Sequence, residues 1–228
     1  MLKIDFSKPF LSIDCGTSVM SLALRCGCQV FEINQDIGAK QSENLLPALR
    51  DLYAQASVDT PDLAAIVVNQ GPGAFTGLRV GASVAQGLAA AFDIPLIGVP
   101  SLDALAYCVP PQQCVLAAMD ARMGEVFYAF FDTVKQQRLS DYGVGKMNEI
   151  RLPENCSQCV VVGNVPFSGS LHIIDYINKM PKACDFLNIA QSNRYEIKTA
   201  ETMSLLYVRN KIALTAVEQA QRKKDAAQ

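Results

Sequence analysis

The chain has 228 residues, half of them apolar, with 20 Lys and Arg against 22 Asp and Glu. That composition suits one large or two small globular domains with a real core, and excludes a disordered chain. A formal net charge of −2, a single histidine (His172) and eight cysteines without paired metal spacing argue against a self-sufficient nucleic-acid binder, a multi-histidine zinc site and a disulfide framework.

The N-terminus opens with Lys3 and Asp5 and lacks the apolar stretch of a signal peptide. No run approaches the ~18 apolar residues of a membrane span. A cytoplasmic protein with reduced thiols is the expectation. Phe10 to Asp14 reads as a strand ending in Asp, followed by a turn at Cys15-Gly16-Thr17-Ser18. Val19 to Leu24 and Gln29 to Ile33 complete a meander of hairpins. Leu45, Leu46, Leu49, Leu52, Tyr53 and Ala56 then recur at helical spacing, with Ser42 as the expected N-cap and Pro47 in the first turns.

Leu63 to Val68 is a short apolar strand of the kind covered on both faces. It leads into the densest motif of the chain, Gly71-Pro72-Gly73-Ala74-Phe75-Thr76-Gly77-Leu78-Arg79-Val80-Gly81, and a helix predicted to reach Phe92. Ile94 to Val99 is a further strand, and Ser101 is placed as the cap of a helix through Tyr107. After Pro110 and Pro111 the pattern restarts. Val115 to Asp120 is an apolar run ending in Asp, then come a turn at Ala121-Arg122-Met123-Gly124 and a strand from Glu125 to Asp132. Gln158 to Val162 reads as a strand, Tyr176 to Met180 and Cys184 to Ala190 as short helical pieces, and Leu205 to Leu214 as a last strand or helix. Arg222-Lys223-Lys224 reads as part of a solvated tail.

LSIDCGTSVMSLA and AAMDARMGEVFYA share one layout, and their aspartates, Asp14 and Asp120, stand 106 positions apart. Two such units at half-chain spacing predict a duplicated α/β domain. The expected architecture is two RNase H-like, mixed-sheet lobes of the actin, Hsp70 and sugar-kinase type. Residues 1–109 would form the N-terminal lobe, and 110–228 a shortened C-terminal one.

In folds of that type an Asp beside a glycine-rich hairpin organises the metal, and backbone amides hold phosphates. Asp14, Gly16, Thr17 and Ser18 have the right chemistry for a degenerate nucleotide site. At the second hairpin the bulk of Arg122 and Met123 opposes a phosphate lying on the backbone. A small-molecule kinase or ATPase using Asp14, Thr17 and Asp120 is therefore the alternative reading, not the leading one. A two-metal nuclease needs several carboxylates; Asp14 and Glu43 are candidates, without a third.

Gly71 to Gly81 has neither the Lys-Ser/Thr of a phosphate-binding P-loop nor dinucleotide glycine spacing. It reads either as a tight turn into a close-packed helix or as a loop and helix facing a partner. GPGAFTGLRVG closely resembles the GPGSFTGLRIG signature of the TsaB (YeaZ-like) family. DARMGEVF at 120–127, Gln41-Ser42-Glu43-Asn44-Leu45-Leu46-Pro47 and Tyr207-Val208-Arg209-Asn210 resemble three further family segments. The likeness runs in order from about residue 10 to residue 214.

This resemblance implies a subunit without catalytic residues, metal or cofactor of its own. Such a subunit dimerises with itself when alone. Otherwise it pairs with its paralogue TsaD through the N-terminal lobe's helices, in the pathway that makes N6-threonylcarbamoyladenosine at adenosine 37 of tRNAs reading ANN codons. TsaE joins the pair, TsaC-type enzymes (TsaC or TsaC2) supply threonylcarbamoyl-AMP, and ATP or ADP would sit at the complex interface. The interface residues implied are Ser42, Leu45, Leu46, Leu49, Phe75, Thr76, Arg79, Val80, Gly81, Val84, Ala85 and Leu88. TsaD's HxxxH metal pair falls on Gln41 to Leu45, which contains no histidine.

Overall fold

Each apolar run that ends in aspartate forms the central strand of its own sheet. The computed structural model describes residues 4–165, 171–192 and 194–209. In the first sheet β1 (Phe10–Asp14) pairs antiparallel with β2 (Val19–Cys26), which pairs with β3 (Gln29–Asp36). On its other side β1 runs parallel to β4 (Ala65–Gly71), and β4 to β5 (Leu96–Pro100). The second sheet repeats this plan. β6 (Val115–Asp120) pairs antiparallel with β7 (Val126–Asp132), which carries the short β8 (Gln137–Arg138) and β9 (Gly143–Gly145). β6 then runs parallel to β10 (Cys159–Gly163), and β10 to β11 (Ile173–Ile177). The fold is the duplicated RNase H-like fold of the actin, Hsp70 and sugar-kinase group.

The lobes differ in what covers their sheets. α1 (Gln41–Ala56) and α2 (Phe75–Phe92) lie on one face of the first sheet. Leu45, Leu49 and Leu52 of α1, and Ala82, Ala85 and Ala89 of α2, pack there against Leu11, Ile13, Leu22 and Val68. Between β9 and β10 the second lobe has only a 3-10 turn at Met147–Glu149. Loop residues such as Met147, Ile150 and Leu152 pack over its outer face in place of helices. α3 (Ser101–Ala106) serves both lobes: Ala104 joins the first sheet's core, while Leu102 and Leu105 join the second's.

Past β11 the chain leaves the second lobe. After β11 it crosses back, and α4 (Ala183–Ala190) covers the open face of the first sheet with Ala183, Phe186 and Leu187 against Phe10, Ala23 and Val67. β12 (Ile197–Lys198) then pairs with β5 at the sheet edge. A sequence boundary at 109/110 therefore does not enclose the first lobe, because residues from the second half of the chain complete its core.

Several expected elements differ. Tyr176 to Met180 is not helical: Ile173, Ile174, Tyr176 and Ile177 favour extended chain and form β11 beside β10. Ser42 is not an N-cap, since α1 starts at Gln41 with Lys40 at the cap position. Ser101 is the first residue of α3, and Pro100 holds its cap. Leu205 to Arg209 is an irregular strap rather than a strand or helix, and residues 210–214 and the basic run at 222–224 lie outside the described residues. His172 sits between regular elements, where its carbonyl accepts the Cys159 N–H.

Phe186 is fully buried. Phe186→Ala is expected to cost about 3–5 kcal/mol in urea unfolding. Hydrogen exchange should rise in β1 and β2 more than in β6 and β7, because the cavity opens in the lobe that α4 covers.

Candidate functional site

The carboxyl ends of β1 and β6 face one another across the cleft between the lobes. A cavity of about 530 Å³ lies there, lined among others by Gly16, Thr17, Ser18, Asp120, Arg122 and Asn164. Asp14 is only 2% exposed. Its Oδ1 accepts the Gly16 N–H at 2.8 Å and the Asn69 side-chain amide at 2.7 Å. Burial pushes the Asp14 carboxyl up to about 6, against these two hydrogen bonds, which lower it. Asn69 links onward, its Oδ1 accepting the Gly71 N–H at 2.7 Å and the Ser101 hydroxyl at 2.6 Å.

The glycine motif is bound to this hairpin. The Ala74 N–H donates to the Gly16 carbonyl at 2.7 Å. A Cβ at Gly73 would fall 2.6 Å from that same carbonyl oxygen, and one at Gly77 would fall 2.0 Å from the Cys15 carbonyl oxygen. Both glycines therefore permit backbone-to-backbone contact that any side chain would block. The Thr17 hydroxyl bonds within its own turn to Val19, and Ser18 is exposed. Gln41 closes the turn from α1, its amide donating to the carbonyls of Thr17 at 2.9 Å and Gly38 at 2.7 Å.

The second hairpin is a looser copy. Asp120 is exposed. Its Oδ1 accepts the Arg122 N–H at 2.8 Å, and Oδ2 lies 3.6 Å from the Arg122 guanidinium. Asn164, at the end of β10, takes the place that Asn69 has beside β1, but it accepts from the Asp120 N–H at 3.1 Å and leaves the carboxylate alone. Arg122, Met123 and Gly124 all have left-handed backbone, which turns Met123 outward.

A strap bridges the two hairpins. The Leu206 N–H donates to the Gln70 carbonyl at 2.8 Å, and the Arg209 guanidinium meets the Glu125 carboxylate. Tyr207 reaches back to Phe75, with ring centroids 6.0 Å apart, and Arg79 lies 3.8 Å over the Phe75 ring.

The structure divides the interface residues expected from resemblance into two sets. Leu45, Leu49, Gly81 and Ala85 are buried against the first sheet; a Cβ at Gly81 would already touch Ile13 at 3.4 Å. Ser42, Leu46, Phe75, Thr76 and Arg79 are exposed, and Val80, Val84 and Leu88 are half-buried along one side of α2. The sequence reading missed Asn69, Asn164 and Ser101. Asn69 and Asn164 each stand at the end of an apolar strand, and that shared position was the available signal.

Folding raises the affinity of Asp14 for its proton, so its contribution to stability is lost as pH rises from the unfolded value near 4 through about 6. Asp14→Asn keeps the acceptor oxygen and cannot ionise. Thermal melts should show the variant gaining on the parent across that window, by roughly 3 kcal/mol at most, and no further above pH 7.

A family profile described as "TsaD: tRNA N6-adenosine threonylcarbamoyltransferase" matches residues 35–209. The chain is similar to the tRNA threonylcarbamoyladenosine biosynthesis protein TsaB of Haemophilus influenzae, 34% identical over 136 residues, covering 58% of this chain and 57% of that protein. The Escherichia coli protein of the same name is 36% identical over 122 residues, covering 52% and 53%. The chain thus spans little more than half the length of these curated relatives. Among solved structures, YeaZ from Pseudomonas aeruginosa superposes with a TM-score of 0.77 at 27% identity, covering 88% of this chain and 99% of that one. With the duplicated fold and the glycine-motif hairpin, these matches show that the chain belongs to this tRNA threonylcarbamoyltransferase family, among its TsaB (YeaZ-like) members.

Proposed function

We propose that this chain is a non-catalytic subunit in the biosynthesis of N6-threonylcarbamoyladenosine on tRNA, and that it acts by pairing with a TsaD-type catalytic protein. TsaE joins the pair, and any nucleotide is held at the complex interface rather than by this chain alone. The tRNA pathway comes from the relatives' names. One observation carries the non-catalytic part: each strand-end aspartate is already engaged by its own turn. Asp14 is buried under Gly16 and Asn69, and Asp120 is held by Arg122.

The outward side of the α1–α2 layer supports pairing. Leu46 is 58% exposed on α1, and Thr76 is exposed at the start of α2, beside the half-buried Val80 and Val84. A helix layer that already covers the chain's own sheet and still presents apolar side chains outward suits a second helix layer. The same face serves a homodimer when the partner is absent.

The cognate TsaD should co-elute with this chain on size exclusion. Leu46→Arg and Thr76→Arg should each weaken the complex at least tenfold, ~1.4 kcal/mol, with unchanged circular dichroism. Isolated chain should not turn over ATP, and turnover should appear once TsaD and TsaE are added. Turnover by the isolated chain that Asp14→Ala abolishes would instead establish the kinase or ATPase reading.

A further inference from the structure

The second lobe holds three thiols on one face of its sheet, away from the cleft between the lobes. Cys114 directly precedes β6 and Cys159 opens β10. The parallel register pairs Val115 with Val160, which sets the two cysteines side by side. Both are buried in the lobe's outer core, and Cys156, half-buried, packs against the same cluster. Burial, and then the neighbouring Cys156, push the Cys114 thiol up. Beside them opens a cavity of about 460 Å³, whose lining includes Cys114, Cys156, Asp132 and Lys135 but not Cys159. Two thiols of one cluster that line one cavity form a different arrangement from cysteines scattered singly through a core.

We propose that Cys114 and Cys156 are a dithiol modification site that reacts with low-molecular-weight disulfides of the glutathione type. Such a disulfide enters the cavity, and the thiolate of Cys156 attacks one of its sulfurs. The S–S bond of the small molecule breaks, and its other half leaves as a thiolate that takes up the proton lost by Cys156. The product is a mixed disulfide on Cys156. Cys114 then gives up its proton and attacks the Cys156 sulfur, expelling the second small thiolate, which takes that proton. In sum, two protein thiols are oxidised to the Cys114–Cys156 disulfide and one small disulfide is reduced to two thiols.

The order of attack follows from the surroundings. Burial, then the contacts with Cys156, Cys159 and Asp132, push the Cys114 thiol well up, so it stays protonated until its target is within reach. Lys135 is drawn to Asp132, 3.8 Å away, rather than to a thiol. Cys156 sits in an irregular turn, its N–H bonded to the Pro153 carbonyl at 2.9 Å, where backbone adjustment is cheaper than in a strand. Cys159, fully buried at the start of β10, has no such freedom. The disulfide would tie the turn at 153–158 to the start of β6 beside the cavity.

The test uses the full chain, incubated with oxidised glutathione, quenched with N-ethylmaleimide and mapped by non-reducing peptide mass spectrometry. The expected result is a Cys114–Cys156 crosslinked peptide pair, with Cys159 alkylated only after denaturation. Cys114→Ser should stop at the glutathione adduct on Cys156, and Cys156→Ser should leave Cys114 unmodified. A Cys156–Cys159 crosslink, an adduct on Cys156 that never resolves in the parent chain, or reaction confined to the exposed Cys28 would overturn the proposal. The parent chain's map decides the outcome even if a serine variant fails to fold.

Discussion

A buried chain of hydrogen bonds from Asp14 through Asn69 to Ser101 holds the first lobe's edge together. It joins the end of β1, the end of β4 and the start of α3, three elements that lie far apart in sequence. Asp14 also fixes the Gly16 N–H, and Gly16 in turn receives the Ala74 N–H, so the glycine motif and α2 are aligned by the same aspartate. Removing any member would leave polar groups without partners in a place that excludes water. The position of α2, and so the outward layer it forms with α1, depends on this network.

Duplication kept the strand plan and let the two edges diverge. Asp120 and Asn164 stand where Asp14 and Asn69 do, yet they bond through backbone and guanidinium groups at the surface. On the first edge the aspartate became a buried structural joint, while the second edge remained an open turn bridged by the strap through Arg209 and Glu125. In folds of this group the two edges act together on a ligand. Here the aspartate of the first edge is taken up by Gly16 and Asn69, which fits the proposed role of presenting a surface to a partner.

Much of this was legible in the residues. Strand-Asp-turn-strand units carry strong local signals, namely apolar runs, β-branched residues and turn glycines, so β1, β2, β6 and β7 were readable. The helical period around Leu45 to Ala56 marked α1 for the same reason. Tyr176 to Met180 misled because a short apolar run has no period to separate strand from helix, and its partner β10 decides the matter. Leu45, Leu49, Gly81 and Ala85 were legible as close-packing positions but not as inward-facing ones, since the side of a helix that meets its own sheet is set by tertiary placement. Asn69 was invisible as a site residue because its role exists only once β4 lies beside β1.

The return of α4 to the first sheet carries a consequence for synthesis on the ribosome. Strands β1, β2, β4 and β5 all leave the exit tunnel long before Phe186 and Leu187 do. During that interval Phe10, Ala23, Val67 and Val99 present an apolar face with no cover. The nascent first lobe is thus a sticky intermediate until the second lobe has been made, and the two halves of an ancestral duplication now mature as one unit, with the later half acting as the lid that lets the earlier one finish.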